Sequence, residues 1–334
     1  MPAETVVITG AAAGVGRATA RAFGRHGARV GLLARGVDNL NDAAAEIEAA
    51  GGKALALPTD MADPDAVEAA AEAVERRFGP IDIWVNCAMA TIFARFWDIT
   101  PEEYRRATEV TYLGYVWGTM AALRRMRPRN HGAIVQVGSA LAYRAIPLQS
   151  AYCGAKFAIR GFTDSLRSEL IHEGSRIHLT MVQMPALNTP QFGWARNKMG
   201  KQAQPVPPIF QPEVAAEAIL YAAYARRREI YVGGSTVKAI LANKFVPGLL
   251  DRYLARDYAG QLSNETLEPR PDNLFQAVPG RHGAHGRFDH IARRHSLELW
   301  ASLHRGWLCA GIGLAAGAAA VWLGRSARRT LTAG

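Results

Sequence analysis

The sequence predicts a doubly wound α/β fold: a parallel sheet of about seven strands, covered by helices on both faces, in one domain with a C-terminal tail. Three observations carry this. Between residues 5 and 235, seven short and nearly continuous apolar runs alternate with longer amphipathic stretches, as strands do when crossover helices bury both sides of a parallel sheet. The first run leads into a glycine-rich turn, and the turn into a helical pattern. The 334 residues are 49% apolar, which supplies one sizeable core and is short for two full domains.

Taken in order, the strands are TVVITG, ARVGLLA, KALALPTD, IDIWVN, GAIVQVGS, RIHLTMVQ and EIYVG. Between them stand helical patterns such as DNLNDAAAEIEAA and DPDAVEAAAEAVERRF, the second opened by Asp63 as N-cap and Pro64 in its first turn. Residues 237–258 still read as helical and apolar in places, so the principal domain is placed at 1–258. Residues 259–305 are rich in Pro, Gly and His and read as an irregular, solvated linker. Its His282, His285, His290 and His295 have no ligand-pair spacing, and no metal site is expected.

Residues 306–324, GWLCAGIGLAAGAAAVWLG, are uncharged and reach the length of a membrane span. Trp307 and Trp322 near the ends and the Gly313–Gly317 pair favour a membrane-anchor helix over a buried or dimer-interface helix, although Ala and Gly drive insertion only weakly. Residues 325–334 form a basic tail. The net charge of +10 is spread along the chain without an aromatic-interleaved basic block, so no nucleic-acid partner is expected. Cys87, Cys153 and Cys309 fit neither a disulfide framework nor a zinc spacing. The first strand is placed within a few residues of Met1, so no signal peptide is expected.

The segment TGAAAGVG, residues 9–16, follows the first strand and opens a helix. Gly10 permits a tight turn, while Gly14, Val15 and Gly16 bring the backbone close to a pyrophosphate at the helix N-terminus, where free N–H groups and the dipole favour anions. A free ribose 2′-hydroxyl is usually met by an acidic residue about twenty positions on. Ala34 and Arg35 stand there instead, and a guanidinium fork suits a 2′-phosphate. NADP(H) is therefore expected over NAD(H).

The second cluster is SALAYRAIPLQSAYCGAKFA, residues 139–158. Tyr152 and Lys156 lie one helical turn apart on a shared face, and a fixed ammonium is expected to stabilise the phenolate and lower the pKa of the phenol. Ser139 ends a strand at the carboxyl edge, where its hydroxyl can hold a carbonyl oxygen.

With T-G-x-x-x-G-x-G, Y-x-x-x-K and a serine thirteen residues before the tyrosine, residues 4–235 resemble the short-chain dehydrogenase/reductase superfamily. The resemblance implies a Rossmann-type fold and a carbonyl–alcohol oxidoreductase. It makes Tyr152 the general acid and base, Lys156 its tuner and a ligand of the nicotinamide ribose, and Ser139 the substrate-orienting group. It assigns Asp60 to the adenine and Asn86, at the head of the family's N-N-A-G element, to the cofactor wall. Pro185 and Thr189 take the nicotinamide carboxamide, and residues 188–211 form a substrate lid. It further implies a homodimer or homotetramer, paired through helices at about 101–126 and 151–173, and a cytoplasmic catalytic domain supplied with cellular NADPH.

Three departures stand out. Met89 replaces the glycine of N-N-A-G, Thr111 replaces the helical asparagine of V-N-x-x-G, and Ala186 replaces the glycine of the usual P-G. They motivate a second hypothesis, a nucleotide-binding sensor or scaffold that kept the fold and lost catalysis. Phe192, Trp194, Met199, Ile209 and Phe210 give the lid apolar character and point to a lipophilic carbonyl or alcohol as substrate.

Overall fold

The computed structural model describes residues 3–306. Seven parallel strands form its central sheet: β1 (Thr5–Thr9), β2 (Arg29–Ala34), β3 (Lys53–Pro58), β4 (Ile83–Asn86), β5 (Ala133–Val137), β6 (His178–Gln183) and β7 (Glu229–Tyr231). Their spatial order is β7-β6-β5-β4-β1-β2-β3, so the winding reverses between β1 and β4. In open α/β sheets such a reversal leaves a crevice at the carboxyl ends of the strands. All residues of β1, β4 and β5 are buried, because helices cover both faces, and that explains their unbroken apolar runs.

Helices α1 (Gly14–Arg25) and α2 (Val37–Ala49) follow β1 and β2, and α3 (Pro64–Phe78) follows β3. Asp63 caps α3 as expected, its carboxylate accepting from the N–H groups of Asp65 and Ala66 at 3.0 and 3.1 Å. Helix α4 (Pro101–Thr108) opens with a reciprocal box. Thr100 Oγ1 accepts the Glu103 N–H, and the Glu103 carboxylate accepts the Thr100 N–H. A single π turn, Glu109–Leu113, joins it to α5 (Gly114–Met126); such turns accommodate an extra residue within a helix. Helix α6 (Ser150–His172) follows β5.

The lid region carries a short helix, α7 (Gln191–Trp194), and three two- or three-residue strands before α8 (Pro212–Tyr224). After β7 the expected helical stretch is two helices, α9 (Gly234–Phe245) and α10 (Pro247–Arg256). Pro247 lacks an N–H to continue α9, so the chain breaks there.

Residues 259–305, expected as a solvated linker, are largely irregular but lie against the principal domain. Leu262–Thr266 pair antiparallel with Lys201–Ala203 of the lid. Leu274, Ala284, Phe288 and Leu299 are buried, and α11 (Leu297–Leu303) packs beside α8 and β7. His282 meets the Trp194 ring at 4.4 Å, and His285 lies between Glu213 and Asp289, 2.9 Å from each. Among the described residues no helix is long and apolar enough to cross a membrane. Apart from Gly306, the candidate anchor 306–324 and the basic tail lie outside the described residues.

Candidate active site

A cavity of about 410 Å³ opens at the carboxyl ends of β1, β4, β5 and β6. Its wall brings together Gly10, Gly14, Val15 and Gly16 from the glycine turn, Ser139 from the end of β5, and Tyr152 and Lys156 from α6. Pro185 and Thr189, from the segment after β6, line it too. Residues spread over 180 positions of sequence thus converge on one site.

The glycine turn is dictated sterically. Gly10 has φ +69°, and a Cβ there would sit 2.8 Å from the Ala88 Cα; one on Gly16 would sit 2.2 Å from the Gly10 carbonyl oxygen. Only glycine lets the turn close this tightly. Helix α1 starts at Gly14 without a side-chain cap; the Gly14 N–H donates to the Gly283 carbonyl at 3.2 Å, and the other N–H groups of the first turn have no capping side chain. Together with the Lys156 ammonium, this donor set fits the pyrophosphate and ribose of a dinucleotide. Thr9 Oγ1 fixes the opposite wall by accepting the N–H groups of Cys87 and Ala88 at 2.9 and 3.0 Å.

Ser139 has an extended backbone at the strand end, and its N–H donates to Gln183 Oε1 at 2.8 Å. Its hydroxyl accepts the Leu141 N–H at 3.1 Å. Lys156 is 2% exposed. Its ammonium donates to the Val137 carbonyl at 2.7 Å and the Tyr115 hydroxyl at 3.1 Å, and lies 5.5 Å from the centre of the Tyr152 ring. Burial pulls the Lys156 ammonium down to about 8. The Tyr152 phenol is pushed above its ordinary range, chiefly by burial, with the Ser139 hydroxyl pulling the other way. Desolvation sets the direction, and Lys156 is not among the groups that lower the Tyr152 phenol, contrary to the expectation.

Tyr115 is a site residue that sequence reading missed. It is 1% exposed, donates to the Val137 carbonyl at 2.9 Å and accepts from Lys156. The available signal was its position one turn after Thr111, on the face where the family carries its asparagine. Thr111 itself turns to the β4 loop: its hydroxyl donates to the Ala90 carbonyl and accepts the Ala90 N–H, at 2.8 and 2.9 Å.

Three expected cofactor residues are placed differently. Asn86 is fully buried beneath the cleft, where its amide bonds Trp84, Gln136 and Thr119. An amide at this point of β4 satisfies polar groups inside the core, and Cys87 and Ala88 form the cleft wall in its stead. Asp60 accepts the Ala62 N–H at 3.0 Å and pairs with Arg106. Burial opposes its ionisation, but those partners outweigh burial and hold the carboxyl below its usual range. The Arg35 guanidinium donates to the carbonyls of Asn273 and Leu274. Neither Asp60 nor Arg35 lines the cavity.

Leu141, Ile146, Met184, Leu187, Phe192 and Val206 give the remaining wall an apolar part, beside the polar Gln149, Gln204, Asp257 and Gln261. Among the described residues no three His, Cys, Asp or Glu side chains gather as a metal would need.

Comparison with known proteins identifies the family. A family model described as short chain dehydrogenase matches residues 4–199. The chain is 33% identical over 283 residues to "Uncharacterized oxidoreductase YxnA" of Bacillus subtilis (strain 168), a match covering 84% of this chain and 80% of that protein. It is 29% identical over 277 residues to "Estradiol 17-beta-dehydrogenase 11" of Mus musculus, covering 83% and 87%. With "3-dehydrosphinganine reductase" of Danio rerio it shares 32% identity over 192 residues, 56% of this chain and 57% of the relative.

Proposed function

This chain belongs to the short-chain dehydrogenase/reductase family, and from that premise we propose an NADP(H)-dependent oxidoreductase that interconverts a carbonyl and an alcohol. The observation that carries the reading is the meeting of Ser139, Tyr152 and Lys156 with the glycine turn in one cavity. When bound, the reduced nicotinamide supplies the hydride that reaches the carbonyl carbon. The glycine turn would hold the pyrophosphate, Lys156 the nicotinamide ribose, and Pro185 and Thr189 the carboxamide.

Ser139 orients the carbonyl oxygen, and the Tyr152 phenol gives that oxygen its proton. A phenol held above its ordinary range carries its proton at neutral pH, which is the state a donor needs. As the phenolate forms, the Lys156 ammonium beside the ring stabilises its charge, and Tyr115 with the Val137 carbonyl holds that ammonium in place. In the oxidative direction Tyr152 takes the proton back.

The preference for NADP(H) is supported by Arg35, which stands where an acidic ribose ligand would select NAD(H). A lipophilic substrate is supported by the apolar wall and by two relatives named for estradiol and 3-dehydrosphinganine. Pairing of two copies through α5 and α6 would cover the exposed Met120, Phe157 and Ile171. A cytosolic catalytic domain is the setting that cellular NADPH implies.

A second reading, a nucleotide sensor without turnover, is favoured by one observation: the Thr111 hydroxyl is engaged by Ala90 as both donor and acceptor. Both readings are tested by following NADPH absorbance across a panel of lipophilic and small polar carbonyls, with Tyr152→Phe as control. Turnover by the native chain that Tyr152→Phe abolishes, with cofactor binding retained, is the expected result. A silent panel with cofactor bound establishes the sensor, and tighter binding of NADH than NADPH overturns the cofactor assignment.

A further inference from the structure

Residues 272–289 run along the whole outer edge of the cofactor cleft. The Asp272 carboxylate pairs with Arg196 at 2.8 Å, and the Asn273 N–H donates to the Trp194 carbonyl at 3.0 Å. Leu274, completely buried, joins the apolar cluster of Ala90, Ala107 and Val110. Its carbonyl accepts from Arg35 at 3.3 Å and from Arg106 at 3.1 Å, and the Asn273 carbonyl accepts a second Arg35 N–H.

The segment then passes over α2 and α1. Asn39 donates to the Gly280 carbonyl at 2.9 Å and accepts the His282 N–H at 2.6 Å. The His282 carbonyl accepts from Arg17, and the Gly283 carbonyl accepts the Gly14 N–H at 3.2 Å. Ala284 packs on Ala18, Ala22 and Ala216, and the Phe288 N–H donates to Asn188 of the lid at 3.0 Å.

Two consequences meet here. The donors suited to a nucleotide's anionic groups, the Arg35 guanidinium and the Gly14 N–H, are taken by neutral carbonyls of this segment. The cavity, lined by Asn273 at this end, stops short of Arg35 and Asp60, with Leu274 and Arg106 filling the space beside them. We infer that residues 272–289 are an autoinhibitory strap, with Leu274 as the plug of the adenosine end of the cleft, and that a dinucleotide must dislodge it to bind. This rests on the dinucleotide reading above. Exchange is favourable at Arg35 because a guanidinium bonds a phosphate more strongly than a neutral carbonyl.

The strap separates a closed state, with the adenosine end of the cleft filled, from an open one, and the segment that must leave is the same for either nucleotide. Apparent affinity is reduced by the open fraction, so loosening the strap strengthens NADPH and NADH binding by the same factor. Two full-length variants test this, Leu274→Ala, which shrinks the plug, and Asn39→Ala, which removes two strap hydrogen bonds and leaves the apolar cluster intact. Each is expected to lower the dissociation constants of both cofactors, read by nucleotide fluorescence, by about tenfold.

In the native chain, NADPH is expected to speed tryptic cleavage within 272–289, where Arg281 is already exposed. Unchanged or weakened affinity in both variants overturns the strap, as does protection of 272–289 by NADPH, which would mark a lid closing over bound cofactor. Failure of the native chain and both variants to bind either nucleotide overturns the dinucleotide reading itself, and the strap with it.

Discussion

Lys156 gathers the chemistry of the site into one buried ammonium with two protein acceptors, the Val137 carbonyl and the Tyr115 hydroxyl. Burial brings its pKa down to about 8. The charge is therefore present below that pH and lost above it, and carbonyl reduction should decline as pH rises through about 8. Tyr115→Phe removes an acceptor that favours the charged form, and a hydrogen bond to a charged group is worth about 1.5–3 kcal/mol. The alkaline limb of the kcat profile should move down by about one pH unit; a purely structural role for Tyr115 would lower Tm and leave the limb in place. Ser139, Tyr152 and Lys156 were legible in the sequence because a strand end and a one-turn helical spacing fix their positions. Asn86 and Tyr115 were not, since the direction of a side chain at the end of β4 or within α5 depends on partners far along the chain. Asn86 finds Gln136, and Tyr115 finds Lys156.

Among the elements, the β1–α1 turn leaves the least latitude. A methyl group on Gly16 would meet the Gly10 carbonyl, a backbone atom that cannot rotate away. Gly16→Ala should abolish detectable NADPH binding and destabilise the fold by about 1–3 kcal/mol, the first read by nucleotide fluorescence and the second by urea denaturation. The strands were legible because they are mostly apolar runs, most of them buried, and α3 because Asp63 and Pro64 announce it. The division between α9 and α10 was visible only as Pro247 inside an otherwise continuous pattern. The π turn at Glu109–Leu113 leaves no mark in the periodicity, because one extra residue shifts the face without interrupting the helix.

For the molecule as a whole, buried and half-buried ion pairs tie helices and lid together. Glu46 is held to about 2 by Arg21 and Arg17, and Glu103 to about 2 by Lys198, the Thr100 N–H and Arg196, in each case against the opposing effect of burial. These carboxylates bind protons less readily when folded. Their stabilisation is complete above their ordinary value of 4.5 and lost as pH falls from there toward 2. The melting temperature should therefore fall steeply across that window, and Glu103→Gln should flatten the fall; an unchanged slope would show that these pairs contribute nothing. The docking of residues 259–305 was hidden because Leu274, Ala284 and Phe288 follow neither helical nor strand spacing. What holds them is a surface assembled from distant parts of the chain.

Arg35 and its carbonyl partners are 238 and 239 positions apart, which sets an order of events at the ribosome. Chains emerge from the N-terminal end, so the glycine turn, Tyr152 and Lys156 are all outside the exit tunnel before Leu274 is synthesised. A nascent molecule therefore exposes this groove to the surrounding solution first, and acquires the means to shut it only once residues 272–289 have been made.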